Sequence, residues 1–207
     1  MEIFSIIGPI GAGKSTFVES IKPYNLFNYY YHEDVKGNPY LKLPPTVENQ
    51  IKCQEYIIQH KIDFYQQFAN RDLSQVKILE DASLYQDLFY VYLNMYYQDR
   101  DSFDLVFKQY EHLIDTVYGN CDKHTIIFID LDAEQNLANV KKRGRDFEQN
   151  LDLDFFIKQK AVLLKILSYF EDRFDFINYQ PPTHMFADDD VELSDKYHQV
   201  FKNLGLI

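Results

Sequence analysis

Residues 3 to 21 read Ile3-Phe4-Ser5-Ile6-Ile7-Gly8-Pro9-Ile10-Gly11-Ala12-Gly13-Lys14-Ser15-Thr16-Phe17-Val18-Glu19-Ser20-Ile21. A β-branched and aromatic run meets a loop matching G-x-x-x-x-G-K-[ST], and a helical pattern follows at once. Each part has a physical task. The glycines let successive backbone N–H groups converge on phosphate oxygens, and the helix start adds its positive end. Lys14 is placed to reach the β- and γ-phosphates, and Ser15 offers a hydroxyl to Mg²⁺. At ordinary residue frequencies the pattern arises by chance in on the order of one percent of chains of this size. The strand before it and the helix after it lower that further, so Gly8, Pro9, Ile10, Gly11, Ala12, Gly13, Lys14, Ser15 and Thr16 are read as a nucleotide-binding loop.

Outward from this loop, 207 residues suit one α/β domain, and the hydrophobic and charged content is that of a globular chain. A net charge of −11 argues against binding a nucleic-acid backbone or an anionic membrane. Cys53 and Cys121 lack metal-ligand spacing and are expected as reduced thiols in a cytoplasmic setting. The Met-Glu start runs straight into a strand, which predicts no signal peptide, and no apolar run reaches the length of a membrane span.

Leu26 to Tyr31 predicts a second strand ending at His32-Glu33-Asp34. After the prolines at 39, 44 and 45, apolar residues from Ile51 to Phe68 recur at helical spacing. Val76 to Leu79 predicts a third strand, running into Glu80-Asp81. Ser83 to Gln98 predicts a long helix with Ser83 as its N-cap and two apolar stripes: Leu84, Leu88, Val91 and Met95, and Tyr85, Phe89, Leu93 and Tyr96. Another helix is expected from Ser102 to Tyr118, an Ile-rich fourth strand from Thr125 to Asp130, and a helix from Ala133 into Arg143-Gly144-Arg145. Leu153 to about Tyr179 reads as one helix, Thr183 to Ala187 as a fifth strand and Asp195 to Leu204 as a closing helix. Alternating strands and helices give a parallel sheet with right-handed crossovers. In such sheets ligands bind beyond the carboxyl ends of the strands, where the loop, Glu33 and Glu80-Asp81 fall together.

With these residues in hand, the chain resembles the deoxyribonucleoside kinase family along nearly its whole length. Glu33 followed by Asn38-Pro39-Tyr40-Leu41 is similar to the family's catalytic glutamate and the loop after it. Gln54-x-Tyr56 resembles its base-reading glutamine. Asp81-Ala82-Ser83-Leu84-Tyr85-Gln86-Asp87 resembles its acidic-Arg-Ser motif, with Ala82 where the arginine normally stands. Leu131-Asp132-Ala133 followed by Arg143-Gly144-Arg145-Asp146-Phe147-Glu148 resembles its Arg-rich lid. The resemblance implies a P-loop kinase three-layer sandwich, with a five-stranded parallel sheet flanked by helices and a lid at about residues 141–150. It implies ATP and Mg²⁺ as cofactors, a small-molecule deoxyribonucleoside as partner, and a homodimer. Glu33 becomes the general base toward a 5′-hydroxyl. Lys14, Arg143 and Arg145 stabilise the transferring phosphoryl, Arg143 also gripping ATP, and Ser15 and Asp81 hold the metal. Gln54, Lys61 and Asp87 form the base site, Lys61 and Asp87 as a charge pair, and Glu148 takes the sugar 3′-hydroxyl. That pair implies preference for purine deoxynucleosides or deoxycytidine over thymidine. A thymidylate-type monophosphate kinase and a P-loop switch protein without metabolic turnover are the alternatives.

Overall fold

The computed structural model describes residues 1–33, 37–145, 148, 150–181, 198 and 200–207. Strand β1 (Glu2–Ile7) lies at the centre of the sheet, and the phosphate loop leads from it into helix α1 (Lys14–Ile21). Strand β2 (Tyr29–His32) precedes α2 (Val47–Gln66), and β3 (Lys77–Asp81) precedes α3 (Leu84–Met95) and α4 (Arg100–Val117). Then come β4 (Lys123–Ile129), α5 (Ala133–Arg143), α6 (Leu153–Tyr169) and β5 (Asp175–Tyr179). The five strands are parallel in the order β2-β3-β1-β4-β5.

The pleat sorts side chains between two cores. Ile3, Ile7, Ile78, Ile126 and Phe128 join one cluster with α2, α3, α4 and α6. Ile6, Leu79, Ile127 and Ile129 join the other with α1 and Phe201. Both faces are covered, which is why the central strands are almost continuously apolar. Each fully buried isoleucine contributes about 1.5–3 kcal/mol. Side-chain caps close several helix starts: Thr46 accepts from the Asn49 amide, Ser83 from Gln86, Asp99 from Ser102 and Asp152 from Phe155.

The second half departs from expectation in one place. The predicted helix from Leu153 to Tyr179 ends at Tyr169, and its last five residues, Asp175–Tyr179, are β5. Phe170 leaves helical geometry at φ −114, ψ 19, and Phe174 is already extended at φ −157, ψ 157. The apolar spacing satisfies a helix locally, but the outer edge of β4 needs a hydrogen-bonding partner, and Thr125 to Ile129 find one in Asp175 to Tyr179. Thr183 to Ala187 lies outside the described residues. So does part of the expected closing helix, whose described residues from 200 to 203 are helical.

Candidate active site

The loop is held open by its own chain. Gly13, the N-cap of α1, sits at φ 87 and Gly11 at φ 80. A methyl group on Gly11 would stand 2.7 Å from the Asn136 carbonyl oxygen, so α5 packs directly onto the loop. Three carboxamides from three helices fix it there. The Gly8 N–H donates to Gln86 Oε1 at 3.2 Å and the Ile10 N–H to Gln159 Oε1 at 3.1 Å, while Asn139 Nδ2 donates to the Gly11 carbonyl at 2.8 Å. The N–H groups of Gly13, Lys14, Ser15 and Thr16 find no acceptor among the described residues, as expected of a helix start awaiting an anion. Lys14 Nζ folds back onto the carbonyls of Gly8 at 2.9 Å and Pro9 at 3.1 Å. Burial lowers its pKa to about 8, with Asp81 and Glu33 opposing the shift and Arg143 adding to it.

The carboxylates arrive from the neighbouring strand ends. Glu33 is half-buried immediately after β2. Burial raises its pKa, Lys61 and Lys14 pull it back, and Asp81 adds to the rise. The segment beyond it is tied to α2 by Asn38, whose Nδ2 lies 3.3 Å from Cys53 Sγ while its Oδ1 accepts from the Tyr40 N–H at 3.1 Å. Glu80 and Asp81 project to opposite faces of the sheet, as adjacent strand residues must. Asp81 lies on the α1 side, 3.8 Å from His32 Nδ1. Glu80 lies fully buried on the other side, accepting from Ser5 Oγ at 2.5 Å, Tyr65 at 2.7 Å, Tyr118 at 2.8 Å and Lys61 at 3.2 Å. Burial opposes its charge, but Lys61 and the hydroxyls of Ser5 and Tyr65 hold its pKa below the usual range. The pleat therefore gives Asp81, rather than Glu80, to the phosphate side.

The expected Lys61–Asp87 pair is corrected by this network. Lys61 is fully buried and its ammonium is committed to Glu80, to the Ala82 carbonyl at 3.0 Å and to the Tyr31 ring at 3.8 Å. An ammonium has three protons and here three partners, so Asp87 is left without an ion pair among the described residues. Ala82, at φ 81, turns the chain so that its carbonyl meets Lys61 where no arginine side chain is present. Asp87 is 2% exposed, and burial raises its pKa well above the ordinary carboxyl value against the pull of Lys61. Gln54 is equally buried and accepts a hydrogen bond from the Tyr110 hydroxyl at 2.8 Å.

At the far side of the loop, Glu148 is 4% exposed and receives the Arg143 guanidinium in a fork, with Nη2 at 2.7 Å from both carboxylate oxygens and Nε at 3.2 Å. Arg145 Nη1 lies 3.7 Å from the same carboxylate. The structure thus brings the loop, Lys14, Glu33 and Asp81 together at three strand ends, with Arg143 and Glu148 alongside through their charges on Lys14. Tyr110, Gln86, Gln159 and Asn139 were not foreseen. Gln86 stands inside the recognised Asp81–Asp87 stretch, whereas nothing in the sequence marks Gln159 or Tyr110.

Comparison with known proteins agrees with this geometry. A family model described as deoxynucleoside kinase matches residues 4–201. A deoxyadenosine kinase of Lactobacillus acidophilus is 26% identical over 187 residues, covering 87% of this chain and 83% of the relative. A deoxyguanosine kinase of Lactobacillus johnsonii is 25% identical over 187 residues, covering 87% and 80%. The solved structure of a deoxyadenosine kinase from M. mycoides with the products dCMP and a flexible dCDP superposes with a TM-score of 0.73 at 20% identity, covering all of both chains.

Proposed function

The chain belongs to the deoxynucleoside kinase family, and on that premise we propose that it transfers the γ-phosphoryl group of ATP to the 5′-hydroxyl of a deoxyribonucleoside. One observation carries the reading: a half-buried carboxylate, Glu33, follows β2, one strand removed from the strand that carries the phosphate loop, within electrostatic reach of both Lys14 and Lys61. Phosphoryl transfer asks for positioning and charge neutralisation rather than covalent help from the protein. Glu33 accepts the hydroxyl proton as the oxygen attacks. Lys14 swings from its carbonyl partners to the phosphate oxygens and joins the unpaired N–H groups of α1. Arg143 and Arg145, on the lid at about residues 141–150, neutralise the transferring group.

The donors suited to Mg²⁺ fit that metal. Ser15 presents an exposed hydroxyl, and Asp81 shares the sheet face of α1. Among the described residues no cluster of three His, Cys, Asp or Glu forms a metal cage. Mg²⁺ needs none, since it takes one or two protein oxygens together with phosphates and water. When bound between Ser15 and Asp81 it would neutralise the β- and γ-phosphates.

Gln54 and Asp87 line the base site, with Lys61 fixing its floor through Glu80 and Ala82. Glu148 holds the sugar 3′-hydroxyl once Arg143 turns to phosphate. A carboxyl group at Asp87 offers an acceptor to an exocyclic amine and leaves little room for a 5-methyl group, so purine deoxynucleosides and deoxycytidine are preferred over thymidine. The carboxylates Glu33 and Asp81 at the strand ends disfavour a dianionic acceptor and so argue against a monophosphate kinase. Chain 1–207 acts as one kinase unit in the cytoplasm. Among the described residues no helix is long and apolar enough to cross a membrane.

The test is a panel of deoxynucleosides and nucleoside monophosphates assayed with ATP and Mg²⁺. ADP formation that depends on deoxyadenosine, deoxyguanosine or deoxycytidine supports the proposal. Turnover on monophosphates alone, or ATP consumption indifferent to added nucleoside, overturns it.

A further inference from the structure

Tyr110 stands on α4 and has no part in the phosphoryl-transfer machinery. Its ring is fully buried, and its hydroxyl proton goes to Gln54 Oε1 at 2.8 Å. Gln54 Nε2 has no partner among the described residues, and neither does the Asp87 carboxyl group. The phenol is electrostatically coupled to Asp87 and Glu33, which places all four groups around one site, and burial keeps it protonated far above neutral pH.

A carboxamide can present its two ends in either order, and the order decides which base edge it complements. Here the order is set from behind. Turning the Gln54 amide over would bring its NH₂ group to the Tyr110 hydroxyl and leave the phenol proton without an acceptor in a dry site. Held as it is, the amide offers Nε2–H as a donor and the second lone pair of Oε1 as an acceptor, with the Asp87 carboxyl group beside them. Adenine and cytosine carry an exocyclic N–H donor next to an unprotonated ring nitrogen. Hypoxanthine, guanine and thymine carry a carbonyl next to a ring N–H, and would require the reversed amide.

We infer that Tyr110 is a positioning residue for base selection: by holding the Gln54 carbonyl it makes the site favour bases with an exocyclic amine beside a ring acceptor over bases with a carbonyl beside a ring N–H. The inference rests on Gln54 reading the base, as proposed above. It narrows the acceptors to the deoxyadenosine and deoxycytidine class.

Deoxyadenosine and deoxyinosine differ only at this edge, so kcat/KM for the pair is the measurement, made on the full chain as wild type, Tyr110→Phe and Gln54→Leu. Wild type should favour deoxyadenosine by roughly tenfold to a hundredfold, the range of a buried hydrogen bond made or left unmade. Tyr110→Phe keeps the packing and frees the amide. It should bring the ratio to within about threefold of unity, with the KM for ATP unchanged. Gln54→Leu should lower kcat/KM for deoxyadenosine and erase the preference as well. An equal change for both nucleosides in Tyr110→Phe would show a merely structural residue, and a wild-type preference for deoxyinosine would show the amide held the other way; either result overturns the inference. Unchanged kinetics in Gln54→Leu would instead remove Gln54 from base reading, leaving the kinase assignment intact.

Discussion

Replacing Glu33 by glutamine isolates the proposed proton acceptor from everything else the site does. The substitution keeps size and shape and removes the basicity and negative charge of a side chain within electrostatic reach of Lys14 and Lys61. Loss of a positioned general base costs roughly 10²–10⁴ in rate, which is about 2.7–5.4 kcal/mol of transition-state stabilisation at 1.36 kcal/mol per tenfold. The phosphate loop is held by Gln86, Gln159 and Asn139 and does not lean on Glu33, so ATP affinity should hold. Stability should move the opposite way to rate. A carboxyl whose folded pKa is raised contributes most below its unfolded value and loses that contribution as pH rises through the folded one. At neutral pH the ionised Glu33 is therefore a burden, and the amide should give an equal or higher Tm. Rapid-quench single turnovers, ATP titration calorimetry and a thermal melt read the three quantities. A turnover rate within tenfold of wild type, or an ATP affinity that falls as far as the rate, would refute the reasoning.

The same raised pKa predicts that kcat/KM for the nucleoside falls as pH drops through a value above the ordinary 4.5 of glutamate. The limb should survive in Asp87→Asn; a limb at or below 4.5 in the pH profile would count against Glu33 as base. Gly11→Ala places a methyl 2.7 Å from the Asn136 carbonyl and 2.9 Å from Val140 at φ +80. Backbone strain of about 1–3 kcal/mol should lower Tm and abolish ATP binding together, and a wild-type melt would contradict the close packing of α5 on the loop. A homodimer is expected through the outer face of α3 and α6, where Leu93 and Tyr97 stay exposed beside a groove of about 440 Å³ lined by Phe155 and Val162. A monomeric mass at micromolar concentration would rule it out, and Leu93→Asp should otherwise convert dimer to monomer.

The parts of this molecule legible in the sequence are those governed by local rules. A phosphate loop needs glycines at fixed offsets, and Ser83 caps α3 because a hydroxyl before an apolar run is the usual way to begin a helix. Burial of single polar residues is not local. Gln54, Lys61 and Asp87 would each be read as solvated on a helix, yet all three are almost fully buried because α4 and β3 close over them. The two apolar stripes on α3 were visible, but not how they are shared out. Tyr85 and Phe89 are buried inside the molecule and Tyr96 is half-buried against its core, while Leu93 remains at its surface. The fifth strand was hidden for a related reason: Ile166, Phe170, Phe174 and Ile177 keep helical spacing through a break that contains neither Gly nor Pro. What ends α6 is the open edge of β4, which no window of sequence contains.

Gln86 and Asp87 are neighbours on the first turn of α3, one gripping the phosphate loop and the other, on the function proposed above, facing the base. Two adjacent residues on a rigid helix thus work as a ruler, fixing the span between the donor phosphates and the far end of the acceptor. That has a consequence for how such an enzyme can change over evolutionary time. A shift or kink in α3 would disturb both substrates together, so α3 is a poor place to adjust base preference alone. The helices free to drift are α2 and α4, which carry Gln54 and Tyr110 and leave the loop untouched. Descendants with new nucleoside preferences should therefore differ first on those two helices, with the start of α3 the last part to move.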